Sequence, residues 1–75
     1  MKTKYVIEYY NDYTDDYSIQ GCEPDDPIIK DLKRAKINFT INKNWELVFE
    51  SEADAMKAMK KFEDWGDYEF RVVSI

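Results

Sequence analysis

The chain has no histidine, one cysteine (Cys22), two glycines and two prolines in 75 residues. Without histidine, Ser/His and Cys/His nucleophilic catalysis lack their base, and every His-ligated metal site is excluded. One cysteine makes neither an internal disulfide nor a thiolate zinc site, so a reduced, cytoplasmic protein is expected. Cys22 has no Lys, Arg or His within seven residues, and nothing in the sequence lowers its pKa towards a reactive thiolate. No apolar run follows Met1-Lys2 and no stretch approaches a membrane span, so neither a leader nor an anchor is expected.

The most informative absence is of positive charge. No basic residue occurs between Lys4 and Lys30, whereas Glu8, Asp12, Asp15, Asp16, Glu23, Asp25 and Asp26 do, interleaved with Tyr9, Tyr10, Tyr13 and Tyr17. Residues 1–28 carry two Lys against seven acids, a sum of −5; residues 29–75 carry nine basic against nine acidic residues and sum to zero. All of the net charge therefore sits in one N-terminal segment, and such segregation sets the sign of a binding surface. A pI near 4.6 argues against direct contact with nucleic acid, which needs Lys and Arg for its phosphates, and against anionic membranes.

What is present is a folding composition: 44% hydrophobic and 16% aromatic residues are too many for a disordered chain. The length allows a single domain over 1–75 that buries about 60–65% of its unfolded surface.

Lys4 to Tyr10, aromatic and β-branched, reads as a strand. Turn formers dominate 11–26, and Tyr17-Ser18-Ile19-Gln20 is a candidate to pair back on that strand as a short hairpin. Asp26-Pro27 opens a helix, with Asp as N-cap and Pro at the first helical position. Ile28, Ile29, Leu32 and Ala35 recur at helical spacing to an end near Lys36. Ile37 to Ile41 and Trp45 to Glu50 alternate as strands around an Asn42-Lys43-Asn44 turn, with Trp45, Leu47 and Phe49 on one face. Ser51-Glu52-Ala53-Asp54 resembles a capping box, followed by an apolar face of Ala55, Met56, Ala58, Met59 and Phe62. Gly66 is placed to close this helix in the left-handed conformation. Tyr68 to Ile75 is the last strand.

The expected class is α+β in the order β-α-β-β-α-β: a ferredoxin-like, four-stranded antiparallel sheet with two helices on one face. An added N-terminal hairpin and a single-helix α+β fold are the rival arrangements. The uncovered sheet face would then carry Val6, Val48 and Val73 with Glu8, Glu46 and Glu50, a surface open to self-association.

The run Leu47-Val48-Phe49-Glu50-Ser51 leading into Ala55, Ala58 and Met59 resembles the third strand and following helix of RNA-recognition-motif domains, over residues 45–75. That resemblance implies the ferredoxin-like fold. Members of the family stack bases on aromatics of the third strand. The two stacking positions here are Asn44 and Glu46, and the motif's basic first residue is Asn42, so the resemblance implies the fold and not the RNA-binding activity.

The acidic, tyrosine-bearing segment is the leading site: Glu8, Tyr10, Asp12, Tyr13, Asp15, Asp16, Tyr17, Glu23, Asp25 and Asp26 as a partner-binding surface. Spaced carboxylates can present a phosphate-like row of charge to a basic groove, and tyrosines add contact area at low entropic cost. The plainer alternative is a solvated loop. Asp12, at the end of the first strand, resembles the metal-binding acid of some ferredoxin-like ribonucleases, including small CRISPR-associated ones. The surrounding segment has no basic surface for RNA, and no metal or cofactor site is assigned. Lys57, Lys60 and Lys61 read as a solvated helix face.

The function expected is that of a small acidic, non-catalytic protein that binds another protein with a basic surface, with no direct nucleic acid and no membrane. In size and charge the chain resembles phage-encoded inhibitors of host enzymes, including defence nucleases (nucleic-acid mimics, anti-CRISPR-like). The alternatives are an oligomerisation or regulatory subunit, for which a homodimer is the simplest form, and a metal-dependent ribonuclease.

Overall fold

A computed structural model describes residues 3–66 and 68–75. The architecture is α+β: β1 (Tyr5–Asn11), β2 (Asp16–Ile19), α1 (Pro27–Arg34), β3 (Thr40–Ile41), β4 (Leu47–Val48), α2 (Glu52–Glu63) and β5 (Phe70–Ser74). Where the sequence suggested one four-stranded sheet, the strands are paired as a three-stranded antiparallel sheet, β2-β1-β5, and a two-stranded ribbon, β3-β4. Isolated bridges at Tyr5–Phe49 and Gly21–Glu46 join the two. One edge of β1 is thus divided: its C-terminal half holds β2, and its N-terminal end meets Phe49.

Alternation sorts the strands into two faces. Tyr5, Ile7, Leu47, Phe49, Phe70 and Val72 turn towards the helices, where Ile7, Leu47 and Phe49 are fully buried with Ile28, Ile29 and Leu32 of α1 and Ala55, Ala58 and Phe62 of α2. Each of the larger of these, Ile, Leu or Phe, stabilises the fold by about 1.5–3 kcal/mol. Both helix starts form as the sequence predicts. The Asp26 carboxylate accepts from Ile28 N at 3.2 Å and the Ser51 hydroxyl from Asp54 N at 3.0 Å, each satisfying a donor that the first turn leaves free.

The differences from expectation have local causes. Ile37 does not start a strand, because its N–H donates to Leu32 O while Lys36 N donates to Lys33 O. That pair of bonds is a Schellman closure of α1, with Lys36 in the left-handed position at φ 60°. Trp45 does not enter β4; it too is left-handed, at φ 63°, closing the turn in which Asn42 Oδ1 accepts from Asn44 N and Glu46 N. Met56, expected in the core, is exposed. Neither glycine has positive φ, so Gly66 is not the left-handed cap the sequence suggested. Gly21 is required for space: a Cβ there would lie 2.8 Å from the Trp45 carbonyl oxygen.

Candidate functional site

The N-terminal segment folds into the β1–β2 hairpin, with Glu8 opposite Ile19, Tyr10 opposite Tyr17 and Asn11 opposite Asp16. Its tip is built by side-chain bonds to the backbone. Asn11 Oδ1 accepts from Tyr13 N at 2.9 Å and Asp16 Oδ1 from Tyr17 N at 2.7 Å, an arrangement Asn and Asp favour in turns. Asp15 adopts φ 55°, which brings its carboxylate to the Tyr10 hydroxyl as acceptor. Asp12 and Tyr13 remain at the apex, with Tyr13 wholly exposed.

On the face away from the helices, β1, β2 and β5 assemble a polar and aromatic network. Arg71 donates from Nε to Glu8 Oε1 at 2.8 Å and lies 2.7 Å from it through Nη2. Its guanidinium also sits 3.7 Å from the centre of the Tyr17 ring, within cation–π range. Tyr10 and Tyr17 meet edge to face at 5.5 Å, and the Tyr17 hydroxyl donates to Glu69 Oε2 at 3.1 Å. Partial burial, followed by the bond to Glu69 and its charge, pushes the Tyr17 hydroxyl above its ordinary pKa. Three carboxylates (Glu8, Asp15, Glu69) against Arg71 leave this network at −2. Val6, expected as part of an open apolar patch, is 1% exposed and Val48 is buried as well, so this face offers less free apolar surface than the sequence suggested.

Of the ten predicted partner-binding residues, seven lie in the hairpin and three beyond it. Glu8, Tyr10, Asp12, Tyr13, Asp15, Asp16 and Tyr17 belong to the hairpin. Glu23, Asp25 and Asp26 lie beyond β2, in the turn where Asp26 N donates to Glu23 O at 3.0 Å and Asp26 caps α1. Six residues, Tyr17 to Cys22, separate Asp16 from Glu23, a stretch that reaches at most about 25 Å when fully extended. Cys22 is buried beside this second group, and its thiol is pushed up to about 11 by burial and then by Asp26, Glu23 and Asp25.

An aromatic surface lies between the two acidic groups, of which the sequence points only to Trp65, a residue at an element end that could anchor a partner. Tyr9 meets Tyr68 at 5.6 Å, Tyr68 meets Phe70 at 6.3 Å and Phe70 meets Phe62 at 6.1 Å. Trp65 and Tyr68, 58% and 61% exposed, flank a cleft of about 210 Å³ floored by Ile28, Phe62 and Phe70. Tyr68 also lines an adjoining groove of about 450 Å³ with Tyr9, Asn11, Asp12 and Tyr13. The available signal was the position of Trp65 and Tyr68 on either side of Gly66, past the last helical turn, where neither can join the buried stripe.

Among the described residues, no three His, Cys, Asp or Glu side chains are grouped so as to hold a metal ion, and no helix is long and apolar enough to cross a membrane. Comparison with protein families, curated proteins and solved structures gave no match.

Proposed function

We propose that the protein is a non-catalytic binding module whose acidic hairpin occupies a basic surface on another protein, of the kind that otherwise holds nucleic acid. The observation that carries this reading is the groove at the hairpin tip, where Asp12 and the wholly exposed Tyr13 stand beside Tyr9 and Tyr68. Carboxylates there meet basic side chains, while the ring faces give cation–π and apolar contact to the same arginines or lysines. The Glu8–Arg71–Tyr17–Glu69 network holds the hairpin in a fixed shape before binding, which lowers the entropic cost of association. In size and charge such a module is similar to phage-encoded inhibitors that mimic nucleic acid.

The ferredoxin-like reading of the chain belongs to the same proposal. The antiparallel bridge between Tyr5 and Phe49 supports a strand neighbourhood of β5, β1, β4 and β3, with β2 inserted beside β1 at one end.

The test is affinity capture with the tagged protein and with the D12N/D15N/D16N variant, eluted by rising salt. The expected result is a basic, nucleic-acid-handling protein that leaves as salt rises, is displaced by excess nucleic acid and is not held by the variant. Equal capture by both proteins would refute the reading.

A further inference from the structure

β5 is an edge strand, bound on one side to β1. Tyr10 N donates to Glu69 O and Ile75 N to Lys4 O. Antiparallel alternation then directs the backbone groups of Glu69, Arg71, Val73 and Ile75 at β1 and those of Phe70, Val72 and Ser74 outward. Among the described residues, no group donates to or accepts from the outward N–H and C=O of these three. Proteins usually protect such an edge with lysine, proline, a bulge or shortness. The two-residue β3 is protected by its length, and β2 is four residues long and begins at the Asp15-Asp16 pair. β5 has five residues, Phe-Arg-Val-Val-Ser, without lysine, proline or bulge, and its one charged side chain, Arg71, is paired with Glu8.

We propose that β5 pairs antiparallel with β5 of a second copy, about a two-fold axis at Val72, so that the two sheets continue as one. The proposal is independent of the acidic-hairpin reading. The sequence of the edge favours a second copy over an unrelated extended peptide because it is self-complementary in one register. With Val72 opposite Val72 of the other copy, Phe70 falls opposite Ser74, and the three outward residues of each strand satisfy all of one another's backbone groups. A shift of two residues in either direction leaves the terminal outward groups unpaired. In the same register Arg71 faces Val73 and Glu69 faces Ile75, so no like charges are directly opposed. The two Arg71 side chains lie diagonally across the axis, each already neutralised by its own Glu8.

A single added strand pair makes a small and weak interface. The experiment is sedimentation equilibrium from about 10 µM to about 1 mM, which brackets an interface of that strength. Amide hydrogen exchange is followed over the same range. In the dimer, exchange at Phe70, Val72 and Ser74 slows as concentration rises, whereas the inward amides of Arg71 and Val73 are slow throughout. Ser74→Pro removes an outward donor that the monomer does not use, at an edge position where proline is tolerated, and weakens association tenfold or more. Val73→Lys sets a second positive charge opposite Arg71 and weakens it, while Val73→Glu strengthens it. Circular dichroism confirms that each variant is folded. A protein still monomeric at about 1 mM, or a dimer with unchanged exchange at Phe70, Val72 and Ser74, would overturn the proposal. So would a dimer that responds to neither Val73 charge. If D12N/D15N/D16N abolished dimerisation, the contact would be the hairpin, and the edge assignment would equally fail.

Discussion

Replacing Gly21 by alanine tests whether close backbone approach at the junction of the two sheets holds the fold together. The new Cβ would sit 2.8 Å from the Trp45 carbonyl oxygen and 3.7 Å from its carbon, so the carbonyl must retreat by about half an ångström to reach ordinary contact. That oxygen accepts from Cys22 N at 2.8 Å, and the neighbouring bond, Leu47 N to Gln20 O, is 3.3 Å long. The two bonds are worth about 1 kcal/mol each, and forcing backbone against backbone costs about 1–3 kcal/mol where it cannot relax. Alanine returns about 0.4–1 kcal/mol by restricting the unfolded chain. The net expectation is a loss of about 2 kcal/mol, equivalent to a fall in Tm of about 8–16 °C for a domain of this size. Urea titration followed by tryptophan fluorescence measures it, with an unchanged m value expected. Gly66→Ala is the control, because its Cβ would meet only the exposed Tyr68 ring, at 3.3 Å, and should leave stability unchanged or raise it by up to about 1 kcal/mol. If Gly21→Ala proves as mild as Gly66→Ala, the junction is not the tight contact described here.

Lys36→Gly should stabilise the protein, because a side chain in the left-handed region costs about 1–2 kcal/mol and glycine returns about 0.4–1 kcal/mol of that through the unfolded chain. A gain of about 0.5 kcal/mol, or about 2–4 °C in Tm, is expected by thermal denaturation. Cys22, with its pKa raised from 9.0 to about 11, should react with iodoacetamide at pH 8 about two orders of magnitude more slowly folded than in urea. Because the folded value lies above the unfolded one, the thiol's contribution to stability is complete below pH 9 and is lost between pH 9 and 11.

The elements that the sequence displays clearly are those governed by near neighbours. Asp26-Pro27 and Ser51 announce helix starts through bonds that span two or three residues, and the alternation of Tyr5 to Tyr10 and Phe70 to Val73 is visible without knowledge of what lies alongside. The hairpin strand at Tyr17–Ile19 was legible as a candidate only, since turn formers on both sides leave few alternating positions. The middle strands were overextended for a physical reason. Ile37 and Trp45 look like strand residues by composition, but one backbone donor is committed to a helix closure and the other residue occupies the left-handed corner of a turn. Residue type alone does not reveal such positions when Lys and Trp stand where glycine is usual. The division of the acidic residues into two groups depends on the length of β2 and on the use of Asp26 as a cap, and charge counting along the chain registers neither.

Tyr5 lies opposite Ser74, and Tyr9 opposite Phe70, so the central strand waits for the last strand to be made. During synthesis at roughly 5–20 residues per second, the β1–β2 hairpin and both helices are complete before Phe70 and Val72 emerge to close over Ile7 and Phe62. Contacts so distant in sequence also make folding slow for a chain of this length. A nascent chain therefore forms its acidic hairpin early, while the apolar stripes of its helices remain partly uncovered until β5 is free to pair with β1. Closure of the core consequently waits on β5, and a chain interrupted before Phe70 would keep local structure without the β1–β5 pairing that covers Ile7.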